Sequence, residues 1–312
     1  MFRVEEVPGK GRGAVASAAI AAGAVVLECD PWLVLLHEPA FTCRWCFASR
    51  SPLDAPYRLR CERCGVRYCS DRCRELGRRV HEEEGECEAV AGVAKEMAAD
   101  RDDDECDEVL AVVMAETARQ QGRAAVFDER LCSEPQLDAA RVARVARHSG
   151  RVLGREVGSE RAVAVVGKVA SNSFGLDAPL PPGEFSEDGE PDVCFLGRAV
   201  YLEASFFNHT CEPPALVRVR SGRRLRFVAR RQIAAGEELC ITYINSARHS
   251  EKGERQALLH ELYGFHCGCG VCEGRVAPLA RLCERCGCCE FLGERDQWCC
   301  VCDTEKIEET LL

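Results

Sequence analysis

The hydrophobic and polar positions divide the chain into a strand-like beginning, a helical middle and a mixed end. In the first forty residues, Phe2 to Val7, Ala14 to Ile20 and Val25 to Leu36 read as short strands. They are separated by the glycine-rich turn Gly9-Lys10-Gly11-Arg12-Gly13 and by Ala21-Ala22-Gly23. Further on, Asp102-Asp103-Asp104-Glu105 precedes the apolar run Val109 to Met114, an acidic helix start followed by a buried stripe. Glu134 to Val152 predicts a second helix with Leu137, Val142 and Val145 on one side, and Ser159 to Ser171 a third. Cys106, Cys132 and His148 in this stretch read as structural or solvated. Ala178 to Asp192, rich in proline, glycine and acids, reads as a loop. Ala215 to Arg220 and Arg224 to Ala229 then make a hairpin about Ser221-Gly222, and Ile233-Ala234-Ala235-Gly236 echoes the earlier turn Ile20-Ala21-Ala22-Gly23. His249 to Tyr263 predicts a helix with Glu251, Arg255 and Glu261 outward and Leu258, Leu259 and Leu262 inward.

Composition narrows the class. The chain has 312 residues, 46% hydrophobic and 29% charged, enough for two domains or one elaborated domain. No apolar run approaches the roughly 18–20 residues that span a bilayer. The net charge of −10 argues against general binding of nucleic-acid phosphates and suits a basic peptide partner. The 23 cysteines gather in three groups, which reads as metal sites rather than scattered core thiols. Met1-Phe2-Arg3-Val4-Glu5-Glu6 is no apolar signal segment, so an intracellular, reducing compartment is expected, nuclear or cytoplasmic.

The spacing then speaks for zinc. Cys211 with Cys267, Cys269 and Cys272 supplies four soft ligands, a closed tetrahedral site of the structural kind. Cys43, Cys46, Cys61, Cys64, Cys69, Cys73, His81 and Cys87 give eight ligands within 45 residues, enough for two ions. A segment so poor in apolar residues cannot fold on burial alone, and zinc at about 10–16 kcal/mol per structural site supplies the difference. Cys283-x2-Cys286 and Cys299-x2-Cys302 look like a small zinc ribbon and make a fourth site possible. Cys288, Cys289 and Cys300 crowd it, so its ligand choice stays open.

Three stretches carry a family resemblance: Tyr201-Leu-Glu-Ala-Ser205-Phe-Phe207-Asn208-His209-Thr-Cys211, then Glu238-Leu-Cys-Ile-Thr-Tyr243, then Tyr263-Gly-Phe265-His-Cys267-Gly-Cys269-Gly-Val-Cys272. In this order they resemble the catalytic end of SET-domain protein-lysine methyltransferases. The eight-ligand segment resembles the MYND finger, whose interleaved sites would pair Cys43, Cys46, Cys69 and Cys73 on one ion, and Cys61, Cys64, His81 and Cys87 on the other. The layout resembles the short plant-type SET–MYND members that lack a helical repeat domain after the post-SET cysteines.

The resemblance implies an α+β fold, a SET β-fold of small sheets with a pseudoknot. Its two parts would be residues 1–40 and 165–250, interrupted by a finger at 41–88 and a helical insert at 89–164. A post-SET zinc segment at 251–273 and a Cys-rich segment at 274–312 would follow. It implies S-adenosylmethionine as cofactor, held by Lys10, Gly11, Arg12 and Gly13 of the first loop and by Asn172, Ser205, Phe207, Asn208, His209, Tyr243 and Phe265. Tyr243, Tyr263 and Phe174 would border the channel for the target lysine. The substrate would be a lysine-bearing protein, a histone tail among the candidates, with peptide partners on the finger and a monomeric chain. The arginines of the finger leave an acidic partner or DNA open. Where the family usually continues with Pro-Asn after Cys211, this chain reads Glu212-Pro213-Pro214-Ala215. The alternative reading is a SET–MYND adaptor that recruits partners through its finger without catalysis.

Overall fold

A computed structural model describes residues 1–51, 53–99, 102–131, 138–179, 193–212, 215–245, 249–276, 283, 291–292 and 298–299. In chain order its strands and helices are β1 (Phe2–Val7), β2 (Gly11–Ala16), β3 (Val25–Cys29), β4 (Leu33–Leu36), β5 (Leu59–Arg60), β6 (Arg67–Tyr68), α1 (Asp71–Arg78), α2 (Glu86–Glu96), α3 (Asp103–Gln120), α4 (Ala125–Arg130), α5 (Ala139–Leu153) and α6 (Ser159–Asn172). There follow β7 (Ser173–Pro179), β8 (Val193–Val200), β9 (Asn208–His209), β10 (Leu216–Ser221), β11 (Arg224–Ala229), β12 (Cys240–Ile241), α7 (Lys252–Tyr263), β13 (Phe291–Leu292) and β14 (Trp298–Cys299). The chain divides into two compact units. One comprises residues 1–31, 177–194 and 203–312; the other comprises 32–176 and 195–202.

The first unit is built of small sheets. β1 and β2 form an antiparallel hairpin with Val7 opposite Gly11. β10, β11 and β3 form a three-stranded sheet, and β9 lies parallel to β12. The two echoing turns pair with each other: Ile20 and Ile233 exchange both backbone hydrogen bonds at 2.9 Å. Phe207 is fully buried between Phe2 and Phe227, at ring-centroid distances of 5.4 and 4.8 Å.

The run expected as one strand from Val25 to Leu36 is two, β3 and β4, which join different sheets. Pro31 between them has no N–H to offer a ladder and interrupts the strand.

The second unit holds a finger and a helical core. α3 starts on Asp102, whose side chain accepts from the Glu105 amide at 2.9 Å, as its acidic first turn predicts. Asp138 caps α5 in the same way, so that helix begins at Ala139; Leu137 and Cys132 lie outside the described residues. Val109, Val112 and Val113 of α3 bury against Val142 and Val145 of α5 and against Val165, Val166 and Val169 of α6. At about 25 cal/mol per Å², such branched side chains contribute roughly 1.5–3 kcal/mol each, which carries these helices without any metal. His148 is half-buried rather than solvated, its Nδ1 lying 2.8 Å from a Glu96 carboxylate oxygen. Trp32 stacks on Phe127 at 4.4 Å.

In the finger, the turns Cys43–Phe47 and Cys61–Gly65 share one geometry. The fifth residue of each is left-handed (φ 60° at Phe47, 79° at Gly65) and returns its amide to the first cysteine's carbonyl. Glycine takes that conformation freely. Phe47 is held there by burial of its ring, which is 1% exposed.

Candidate functional site

The site in the first unit begins where three backbone segments meet. β9 carries Asn208 and His209 alongside β12, and the Val15–Glu238 bridge sets the approach to β12 against β2. Gly13 falls at the junction: a Cβ there would lie 2.6 Å from Asn208 Nδ2, 2.8 Å from Val7 Cγ2 and 3.2 Å from Glu238 Oε1. Of the expected loop residues, Gly13 is thus fixed by close approach, and Gly11 by its left-handed φ of 69°. Lys10 and Gly11 are exposed and Arg12 is half-buried. Lys10 Nζ meets Glu238 Oε2 at 2.6 Å. Burial works against its charge, but the hydrogen bond to Glu238 together with the nearby charges of Cys240, Glu238 and Cys267 outweighs it and holds the ammonium above its ordinary pKa.

His209 faces inward. Its Nδ1 accepts from the Tyr243 amide at 3.0 Å, so the proton sits on Nε2, which donates to Cys211 Sγ at 3.1 Å. Burial, reinforced by the charges of Lys10 and Arg255, lowers its pKa to about 4 against the pull of Cys269. The imidazole is therefore neutral and committed on both nitrogens.

Around it stand Tyr243, Tyr263 and Phe265, all half-buried. The two phenol rings lie 4.9 Å apart, Tyr243 meets Phe265 edge-on at 6.3 Å, and His209 lies 5.4 Å from Tyr243. Tyr243 donates its hydroxyl to the Phe207 carbonyl at 2.8 Å, and burial keeps both tyrosines above the ordinary phenol pKa. The Phe207 carbonyl thus anchors Tyr243, while its ring lies between Phe2 and Phe227. Tyr243 itself follows the short strand β12. Ser205 is half-buried in a 3₁₀ turn spanning Ala204–Phe206. Phe174 and Asn172 belong to the second unit. There Phe174 packs edge-on against Tyr201 at 5.8 Å, and Asn172 donates to the Lys168 carbonyl at 2.7 Å.

Among the described residues, three clusters bring four ligand atoms each within 4.8 Å: Cys43, Cys46, Cys69 and Cys73; Cys61, Cys64, His81 and Cys87; Cys211, Cys267, Cys269 and Cys272. Sulfur–sulfur separations are 3.5 Å (Cys69–Cys73), 3.6 Å (Cys46–Cys69 and Cys61–Cys87) and 3.7 Å (Cys211–Cys272). A disulfide needs about 2.05 Å, whereas thiolates at about 2.3 Å from one tetrahedral ion stand about 3.8 Å apart. The donor sets therefore fit zinc. Of the expected ribbon ligands, Cys286 and Cys302 lie outside the described residues.

The outer contacts of these clusters carry no sequence signal. Glu86 accepts from His81 Nδ1 at 3.0 Å and so leaves Nε2, 3.6 Å from Cys64 Sγ, as the ligand atom. Arg44 donates to Glu86 and to the Val34 carbonyl, at 3.0 Å for the latter. At the third cluster, Gln256 donates to the Cys267 carbonyl at 2.7 Å and accepts from its amide at 3.0 Å. Glu212, in the stretch that departs from the expected Pro-Asn, accepts the Gly270 amide inside the cysteine loop. Arg255, expected outward, is 2% exposed and donates to the carbonyls of His249 and Ser250, whereas Leu262, expected inward, is 48% exposed.

The SET domain model matches residues 11–244, well over half of the chain. The chain belongs to the SET domain family. Among similar proteins, this SET domain is 33% identical over 120 residues to the histone-lysine N-methyltransferase ATXR4 of Arabidopsis thaliana, covering 35% of each chain. It is 23% identical over 281 residues to the N-lysine methyltransferase SMYD2-B of Xenopus laevis, covering 88% of this chain and 61% of that one. A SET and MYND domain-containing protein of Dictyostelium discoideum is 29% identical over 101 residues, 32% of this chain and 28% of its own. The matched stretches span less than two thirds of these relatives. The SET–MYND resemblance and the mixed fold of helices and small sheets hold, and the cysteine clusters fit zinc fingers.

Proposed function

We propose that this SET domain transfers a methyl group from S-adenosylmethionine to the side-chain nitrogen of a lysine in a protein substrate, a histone tail being one candidate. The observation that carries the reading is the aromatic group of Tyr243, Tyr263 and Phe265 set beside the Asn208–His209 strand. The fit of the cofactor rests on Gly13, where a Cβ would close the space between the first loop and Asn208. S-adenosylmethionine, when bound, supplies an electrophilic methyl group.

The protein's own task is to prepare the amine. A free lysine has a pKa near 10.4, so at pH 7 about one in 2,500 is neutral, a cost of about 4–5 kcal/mol. Half-buried aromatic walls strip water from the ammonium and lower that pKa. Tyr243 and Tyr263 stay neutral phenols, and an oxygen whose proton is already given to a carbonyl still has lone pairs to accept from the amine's N–H. Orientation of two bound reactants contributes on the order of 7–11 kcal/mol, and no protein nucleophile is required.

The three clusters would each hold zinc, the finger would bind peptide partners, and the chain would act as a monomer in a reducing nuclear or cytoplasmic setting. Glu212, by closing on the cysteine loop, supports an intact site over the adaptor alternative. The test is calorimetric titration of the zinc-loaded chain with S-adenosylmethionine, followed by methylation assays on lysine-rich proteins. Binding at about micromolar strength is expected. The variant Tyr243→Phe should lose about 10²-fold in turnover with affinity within twofold. Folded, fully metallated protein that binds no cofactor would leave the adaptor as the better reading.

A further inference from the structure

Glu238 belongs to no group of candidate site residues, yet its carboxylate joins two other segments, the first loop and β9. Oε2 accepts from Lys10 Nζ at 2.6 Å and Oε1 from Asn208 Nδ2 at 2.9 Å. Gly13 leaves room for this arrangement by having no side chain. The pair is reachable from solvent, with side-chain exposures of 39% for Lys10 and 20% for Glu238. Two consequences follow from the chemistry. A carboxylate is an acceptor only, so it admits the NH2 edge of the Asn208 amide and leaves the carbonyl edge to accept a hydrogen bond elsewhere. A cation and an anion held side by side also complement a zwitterion better than they complement an anion or a cation alone.

We propose that Glu238 is the positioning residue that makes this corner selective for the amino-acid end of the cofactor. It pairs with Lys10 to offer one charge of each sign, and it fixes which edge of the Asn208 amide is presented. The inference rests on the cofactor reading above, and goes beyond it in assigning a role to a carboxylate that reading does not use.

Two probes separate the effects: S-adenosylhomocysteine, which carries the zwitterionic end, and 5′-methylthioadenosine, which lacks it. Both are titrated calorimetrically into the zinc-loaded protein. For Glu238→Ala the affinity for S-adenosylhomocysteine should fall about 30-fold or more, while that for methylthioadenosine stays within twofold. Glu238→Gln keeps an oxygen for Asn208 but loses the ion pair, and should fall about tenfold with the first probe alone. Retained methylthioadenosine binding reports that the pocket is folded. Equal losses for both probes would make Glu238 a mere support, and no loss would make it a bystander; either result overturns the proposal. Wild-type protein that binds neither probe would instead overturn the cofactor reading on which it rests.

Discussion

Glu86 shows how much a single residue outside a ligand set can decide. Its side chain is 7% exposed, yet it is held ionised. Burial alone would raise its pKa, but the charge of Arg44 and hydrogen bonds from His81 and Arg44 bring it down to about 2. It fixes the tautomer that makes His81 Nε2 a ligand, and it follows Gly85 directly before Cys87 of the same cluster. Replacing such an outer partner typically costs 10–100-fold in metal affinity. Glu86→Gln should therefore weaken zinc at the cluster of Cys61, Cys64, His81 and Cys87 by about that factor while the other two clusters hold theirs. Competition with a chromophoric chelator, counting equivalents released, checks this; simultaneous release from all clusters would refute the local role. The ligands themselves were legible because cysteine and histidine spacing is carried in the chain. Glu86, Arg44 and Glu238 were not, because a carboxylate or guanidinium looks like ordinary surface until the fold supplies its partner.

At the scale of elements, α7 is where periodicity misjudged a helix. Reading leucines inward and charges outward places Leu259 correctly, at 0% exposed, but inverts Arg255 and Leu262. The reason is local. The chain before α7 presents the His249 and Ser250 carbonyls, and the sulfurs of Cys211 and Cys272 lie close enough to hold the guanidinium charged. Buried acceptors draw in a donor that a hydropathy pattern sends to solvent. Arg255→Met should leave those carbonyls without their donor and cost about 1–3 kcal/mol, whereas Leu262→Gln should stay within about 0.5 kcal/mol. Thermal melts of the two variants side by side test this, and equal stabilities would reject the account. The strands split at Pro31 teach a related lesson: the apolar run from Val25 to Leu36 was legible, but its division between two sheets depends on partners about 160 to 200 residues away.

At the scale of the molecule, the helical core of the second unit and the cysteine segment of the first are stabilised differently. The core around Val109, Val145 and Val165 contains none of the clustered metal ligands, whereas Ile244, Leu259 and Val271 pack directly on Cys211, Cys267 and Cys272. Chelation of zinc should therefore abolish the near-ultraviolet signal of Tyr243 and Tyr263 while most far-ultraviolet helix signal from α3, α5 and α6 survives. Circular dichroism against released metal measures both, and a helix signal that falls in step with the zinc would count against this division.

The arrangement also has a timetable. Residues 32–176 form most of one unit in a single unbroken run, whereas β3 at Val25–Cys29 has its partner β11 at Arg224–Ala229. During synthesis at roughly 5–20 residues per second, about 200 residues separate the two, so β3 waits on the order of 10–40 s for its neighbour. Its apolar residues Val25, Val26 and Leu27 spend that interval unpaired outside the ribosome, as a ready site for a chaperone or for another nascent chain. β3 is made long before its neighbour and can be placed only after it.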